Sequence, residues 1–508
     1  MQLKEYLASN GDLLLYTGDP DLSRLNGLAR GPGDLWHSSL DRGYCNAFHE
    51  IVYQTHIAWW YVEDFQGVDS CVNWRVDPSG FVVRKRVWEH FGGFNPSYRS
   101  TTMAAFSMGY NMIKYGAVPM YCKGLFPEIV GHVHTISISD KFQFFIRKFR
   151  WPHALYMLLR AGLLNPVWYF HFIKALCFFR RELIKRYVRE HELDGIKGSP
   201  KISYIIPTMM RQRMVRDLLD DLAVQSYLPH EVIIVDSTPF NQRINDLYYE
   251  RTFPFELKVI WSEIKGSCYQ RNIAIDHSCG DFIIFSDDDL RIPATHIHSH
   301  VSFLQCFGLD ACTGPVINAD KPDRDLTYFA SVRQSFVSIN CDAIFVASKF
   351  SNANSCVTRK VIDSVKLNDV NFDGGYGEDS DYGLRCSKNG FVVFENPHSL
   401  CLHLKPPSGG YRYWESLNKT GFKELLTAPI SFLKRLVVVN PKPSPTIMYF
   451  AIKHFSLFAV SEYMIKNILS YVFSDKKYLI PFRVLKLPYR ILQLRVSINM
   501  AKLLKYNN

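Results

Sequence analysis

The chain has 508 residues, 47% of them hydrophobic, which is enough for more than one packed core. Its formal charge of +11 is concentrated at one end: residues 401–508 hold 17 Lys and Arg against 4 Asp and Glu, so the body is near neutral. That distribution argues against a nucleic-acid binder, which carries its charge along a binding face, and twelve scattered cysteines without a C-x-x-C pair argue against a disulfide framework or a zinc site.

Residues 1–10 (MQLKEYLASN) lack the apolar stretch of a secretory leader. The segments 151–179 and 446–473 are the most apolar. Arg160, Asn165, Pro166, His171 and Lys174 interrupt the first, and Lys453, His454, Glu462 and Lys466 the second. Both read as surface-lying or buried helices rather than membrane spans. The charged pattern RRELIKRYVREHELDGIKGSP (180–200) predicts a helix that stops at Gly198-Ser199-Pro200, where a new domain opens. From there KISYIIPT (201–208), EVIIVDST (231–238), LKVIWSE (257–263) and DFIIFSDDD (281–289) predict buried strands. Helical spacing separates them within 208–229 and 268–280. Such alternation predicts a mostly parallel α/β sheet with helices on both faces, whose ligand binds beyond the carboxyl ends of the strands. Asp236 and Asp287 to Asp289 fall at such ends.

An internal repeat is visible. GDLLLYTGDPDL (11–22) parallels GDFIIFSDDDL (280–290), and AAFSMGYNMIKYGAV (104–118) parallels EDSDYGLRCSKNGFV (378–392). The first copy has Ala104-Ala105 where the second has Glu378-Asp379, and it lacks counterparts of the strands in 201–263. It is either a relic that packs on the second copy or a domain whose beginning precedes this sequence.

Three clusters carry chemistry. Asp287-Asp288-Asp289 repel one another after a buried strand, and a divalent cation bound to a diphosphate would relieve that; a solvated turn or helix cap is the plainer reading. In GGYGEDSDYGLRCSKNG (374–390) a carboxylate either caps a helix or serves as a general base. In CLHLKPPSGGYR (401–412), His403 can complete a metal site, the glycines allow close approach of phosphate, and Arg412 can pair with it.

These motifs resemble the family 2 glycosyltransferases of GT-A fold: IIPT (205–208), EVIIVDS (231–237), GSCYQRNIAI (266–275), FSDDD (285–289), GEDSDYGLR (377–385) and HLKPPSGGYR (403–412). The resemblance spans about 201–412, and 11–134 resembles the later part of the same fold in degenerate form. It implies that Pro207, Thr208 and Asp236 hold the nucleotide base and ribose, that Arg271 lies near the diphosphate, and that Asp287 and Asp289 form the D-x-D pair. Asp288 and Arg412 would join the nucleotide-sugar site, and Asp289 would be the more direct ligand of Mn²⁺ or Mg²⁺. His403 matches a metal-binding histidine, Asp379 the catalytic base, and Glu378 its neighbour that helps place the acceptor. Asp236-Ser237-Thr238-Pro239 departs from the family's Asp-Asp-Gly-Ser and loses one carboxylate.

The expected organisation is a partial GT-A-like domain (1–139), a helical, aromatic and basic connector (140–199), a catalytic GT-A domain (200–425) and a helical basic tail (426–508). The expected activity is inverting transfer from a nucleoside-diphosphate sugar, UDP- or dTDP-linked, to a saccharide or lipid-linked acceptor, with no nucleic acid as partner. A non-catalytic sugar or nucleotide-sugar binder is the rival reading. The basic, apolar tail, joined by 140–160, suggests a protein held at the cytoplasmic face of a membrane.

Overall fold

The computed structural model describes residues 2–38, 67–127, 136–149, 151–188, 193–244, 246–340, 344–347, 350–411, 439–473 and 477–506. Arg412 and most of the predicted tail segment FLKRLVVV (432–439) lie outside them.

The first half builds β1 (Lys4–Leu7), β2 (Leu13–Thr17), α1 (Leu25–Arg30), β3 (Leu35–His37), β4 (Ser70–Val72), β5 (Phe81–Arg84), α2 (Lys85–Phe91), α3 (Thr101–Lys114) and β6 (Pro119–Cys122). Its sheet runs β1-β2-β5-β3-β6-β4. Three helices follow: α4 (Ile138–Lys148), α5 (Trp151–Ala161) and α6 (Pro166–Phe178). Asn165 caps α6 by accepting from Val167 N, and Pro166 at its first position divides it from α5, so the apolar run 151–179 is two short helices.

The second half builds β7 (Ile202–Thr208), α7 (Gln212–Ala223), β8 (Glu231–Asp236), β9 (Glu256–Trp261), α8 (Ser267–Asp276), β10 (Phe282–Ser286), β11 (Leu290–Arg291), α9 (His296–Phe307), β12 (Ala311–Thr313), β13 (Val316–Asn318), α10 (Leu326–Asn340), β14 (Phe345–Val346), β15 (Asn354–Thr358), α11 (Arg359–Val365), α12 (Glu378–Lys388), β16 (Val393–Glu395) and β17 (Cys401–His403). The tail adds α13 (Pro445–His454), α14 (Leu457–Val472), α15 (Ile480–Leu485) and α16 (Leu487–Tyr506). Among the described residues no helix is long and apolar enough to cross a membrane.

The main sheet runs β14-β16-β12-β15-β10-β7-β8-β9. Strands β10, β7, β8 and β9 are parallel, as their alternation with helices predicts, and β15 joins β10 antiparallel. Every residue of β7 and β8 is buried, because helices cover both faces of the sheet centre. All four strands expected from the sequence are present, but β9 is not buried: it is an edge strand, with Glu256 exposed and Leu257–Trp261 only partly covered.

The halves share an arrangement. In the first, β2-β5-β3-β6-β4 pair antiparallel, antiparallel, parallel and antiparallel. In the second, β10-β15-β12-β16-β14 pair in that same order and sense. A helix follows directly on β5 as on β15. The sheets part company where β1 lies antiparallel to β2 but β7 lies parallel to β10.

The helix predicted over 180–200 is not formed in residues 180–188, which run without regular structure. Its polar groups are spent on the first half instead. Glu182 pairs with Arg147 (2.9 Å) and Lys148 of α4, and Tyr187 N donates to Tyr115 O at 2.7 Å. Helical periodicity was real, but a half-buried carboxylate with two cationic partners outweighed it.

Candidate active site

The carboxyl ends of β7 and β10 open onto one cavity of about 440 Å³. Pro207 from the end of β7, Arg271 from α8, Asp287, Asp288 and Asp289 after β10, Glu378 from α12 and His403 from β17 all line it. The three acids follow β10 directly, so a buried strand (Phe282–Ser286) fixes their position.

His403 comes from far away in sequence. Leu290 of β11 pairs with His403 of β17 across an antiparallel ladder, which sets the imidazole beside the acids. Its Nε2 lies 3.1 Å from Asp289 Oδ1. Asp287, Asp289 and His403 each offer one ligand atom, all within 4.8 Å of one another. Two carboxylates and an imidazole suit Mn²⁺ or Mg²⁺, with positions left for phosphate oxygens.

Two arginines balance the acids. Arg271 Nη2 donates to Asp287 Oδ1 at 2.5 Å, so Arg271 sits on the D-x-D motif itself. Arg211 Nη1 reaches Asp288 at 2.9 Å and Asp289 at 3.1 Å. The other guanidinium nitrogens of Arg211 donate to Ser408 O and Gly409 O, both at 3.2 Å. Gly409 and Gly410 have φ of +75° and +67°, and a Cβ on either would meet the Arg211 side chain. The glycine loop thus closes over an arginine in this structure.

Burial pushes the Asp288 carboxyl up, against the opposing pull of Arg211. Burial acts the same way on Asp289, but its hydrogen bond to His403 and the charges of His403 and Arg211 overcome that and hold it low. The pair therefore divides: Asp289 is the more readily ionised acid, as a direct metal ligand must be.

Thr208 and Asp236 are brought together but not onto the cavity wall. They face each other in the β7–β8 ladder. Thr208 Oγ1 donates to Asp288 Oδ2 at 2.8 Å. Asp236 is fully buried and accepts from Thr238 N and Tyr248 Oη, both at 2.8 Å. Tyr411 Oη donates to Thr208 O at 3.0 Å and lines the cavity beside them.

Glu378 and Asp379 begin α12 behind Gly377, whose φ of +114° lets the chain turn into the helix. Glu378 lines the cavity. Its buried Oε2 has no hydrogen-bond partner among the described residues. Burial, then the neighbouring Asp379 charge, raise its carboxyl to about 7. Asp379 Oδ1 accepts from Asn352 N at 3.0 Å, and Asp379 is not among the cavity-lining residues.

Sequence reasoning missed Arg211, Tyr376, Lys405 and Tyr411, all on the cavity wall. Arg211 directly follows the β7 motif, and that adjacency to a strand's carboxyl end was the available signal.

A parallel sheet that ends in a D-x-D carboxylate pair, with a distant histidine brought to it and a helix led by carboxylates, is the arrangement of a GT-A fold. Residues 203–336 match the family model "Glycosyl transferase family 2". The chain is 34% identical over 89 residues to an uncharacterized glycosyltransferase of Haemophilus influenzae, and 26% identical over 98 residues to the O-antigen biosynthesis protein RfbC of Myxococcus xanthus. These matches span 29% and 8% of the relatives' lengths and 17% and 19% of this chain. Among solved structures, the mannosyltransferase PcManGT of Pyrobaculum calidifontis, in complex with GDP-Man and Mn²⁺, aligns at 15% identity over 70% of this chain and 98% of that one, with a TM-score of 0.34. The S. aureus TarS fragment 1–349, in complex with UDP-GlcNAc, aligns at 16% identity over 59% and 81%, with a TM-score of 0.37.

Proposed function

We propose that the protein is a metal-dependent, inverting glycosyltransferase that moves a sugar from a nucleoside-diphosphate sugar, UDP- or dTDP-linked, to a hydroxyl of a saccharide or lipid-linked acceptor. The observation that carries this reading is the convergence of Asp287, Asp289 and His403 in one cavity that also holds Glu378. The name of the Myxococcus relative favours cell-surface polysaccharide or glycolipid synthesis. The first half is read as a second copy of the later part of the same fold, supported by the shared strand order, with Ala104-Ala105 in place of the acids.

A divalent cation bound at these three residues would stabilise the charge that develops on the leaving diphosphate. Arg211 and Arg271 neutralise the acids in the free protein and can turn to phosphate oxygens. The acceptor hydroxyl loses its proton to a carboxylate and attacks the anomeric carbon opposite the nucleotide, so configuration inverts. The motif assigns the base to Asp379, with Glu378 placing the acceptor. A second reading assigns it to Glu378, because that side chain lines the cavity and keeps an unpartnered oxygen.

The tail and the α5–α6 region are read as a surface that holds the protein at a membrane. Leu164 of the α5–α6 turn and Leu457 of α14 are 96% and 85% exposed, and basic side chains surround them in sequence.

Calorimetry with UDP and Mn²⁺ tests the metal site. Asp289→Ala should lose metal-dependent binding, and equal affinity with and without EDTA in the unaltered protein would refute the proposal. Asp379→Asn should bind UDP normally and lose transfer; if instead Glu378→Gln alone loses transfer, the second reading stands.

A further inference from the structure

The internal repeat continues past the sheets into the helices that trail each of them. FFIRKF (144–149) falls opposite FAIKHF (450–455). The helices α4 and α13 end at Phe149 and Phe455, which hold matching extended conformations and donate to carbonyls one turn back, Phe145 O and Ala451 O. Helices α5 and α14 then begin at corresponding positions, Trp151 and Leu457. The predicted connector and the predicted tail therefore carry one helical pair in two copies.

The two copies use this pair in the same way. In the first half, Asp140 in the opening turn of α4 accepts from Arg99 N and Ser100 N, both at 3.0 Å. Those amides immediately precede α3. In the second half, the residue at the corresponding position of α13 is Thr446. Its Oγ1 accepts from Tyr376 N at 2.8 Å, in the loop that immediately precedes α12.

The far end of α13 is fastened too. His454 Nε2 and Lys453 Nζ each lie 2.7 Å from Asp381 Oδ1, and Arg385 Nε donates to Asp381 Oδ2 at 2.8 Å. Lys453 and Tyr449 donate to Asp369 Oδ2 at 2.6 and 2.7 Å. Gly375 packs so closely that a Cβ there would collide with Thr446 Oγ1.

We infer that α13 is a positioning element of the active site: through Thr446, and through Lys453 and His454 on Asp381, it sets the loop Gly374–Gly377 and the start of α12, which carries Glu378 and Asp379. This rests on the glycosyltransferase reading above. Gly375 and Tyr376 of that loop line the cavity together with Glu378, so a shift of the loop moves the acceptor side of the site. The donor side is built from β7, β10 and β17, to which Thr446 does not bond.

The test is Thr446→Val in the full chain, with Thr446→Ser as the conservative control. Valine keeps the shape and removes the acceptor oxygen. Amide hydrogen exchange in 373–378 should accelerate in Thr446→Val while exchange in β7 and β8 stays unchanged, and UDP–Mn²⁺ affinity should hold within about twofold. Transfer should fall by an order of magnitude or more, because misplacement of about 1 Å costs up to ~10²-fold. Thr446→Ser should restore both the exchange and the transfer. Unaltered exchange at 373–378, or transfer at the original rate, would overturn the inference. Loss of UDP–Mn²⁺ binding in parallel with transfer would also overturn it, since it would show a general structural defect. Asp379→Asn and Glu378→Gln, assayed alongside, separate the two claims: if both transfer normally, the carboxylate mechanism fails whatever Thr446→Val does to exchange.

Discussion

Glu378 and Asp379 are adjacent in sequence yet sit in different surroundings. One lines the cavity with a bare oxygen, and the other accepts a backbone amide. A carboxyl raised to about 7 is protonated, and useless as a base, at lower pH. If Glu378 takes the acceptor proton, turnover should fall as pH drops below about 7, and the acid limb should vanish with the activity in Glu378→Gln. A rate that stays flat from about pH 6 to 8 would remove Glu378 from that step and leave it to Asp379. At this scale the acids were legible because runs of like charge after an apolar strand are costly without a counter-charge. The sequence did not reveal Arg211 as a counter-charge in the free protein, since its placement depends on the closure of a loop almost 200 residues beyond it. Nor could it reveal that Thr208 and Asp236 are engaged by Asp288 and Tyr248, side chains from outside the β7–β8 ladder.

The elements that place these residues differ in how plainly they were written. Strands β7, β8 and β10 were readable because buried parallel strands are continuous apolar runs. The two-residue strand β11 and its partner β17 carry too little pattern to announce a pairing, although that pairing brings His403 to Asp289. Helix α13 was readable as apolar, but its basic end was indistinguishable from a solvated one. In the structure that end is half-buried against Asp381, which is itself 1% exposed. Burial would raise the Asp381 carboxyl, but the hydrogen bond from His454 and the charges of Arg385 and Lys453 overcome it and hold it well below the usual range. A depressed folded-state pKa stabilises above the unfolded value of about 4 and is lost as pH falls through the folded one. Stability should therefore decline in acid, and Asp381→Asn should cost about 3 kcal/mol at neutral pH and flatten the decline. Urea midpoints taken at neutral and acid pH check this; a variant that keeps the original slope would show that α13 is held by its apolar face alone.

Across the whole molecule, the paired helices explain why the connector and the tail share their chemistry. They also meet each other. Tyr156 of α5 has its hydroxyl 3.4 Å from Glu462 Oε1 of α14, Arg160 pairs with the same carboxylate, and the Arg160 guanidinium lies 5.0 Å from the centre of the Phe458 ring. Tyr156 and Glu462 stand 306 residues apart, the spacing that also separates FFIRKF (144–149) from FAIKHF (450–455), so the two helices meet at positions matched in sequence. Leu164 of the α5–α6 turn, Phe170 of α6 and Leu485 of α15, the segments that follow the helical pairs in sequence, are 96%, 63% and 78% exposed, and the tail supplies the positive charge. An anionic bilayer satisfies both properties at once: apolar side chains enter the interface while Lys and Arg meet the headgroups. The full chain should sediment with phosphatidylcholine vesicles containing about 30% phosphatidylglycerol, and less so as salt rises. Replacing Leu164, Phe170 and Leu485 by serine should weaken partitioning roughly tenfold for each side chain that inserts, at about 1.5 kcal/mol apiece. Additive losses across Leu164, Phe170 and Leu485 would mean that both copies lie on the bilayer. A loss confined to Leu485 would mean that only the tail does, and the first copy would then serve as the scaffold on which α14 is mounted.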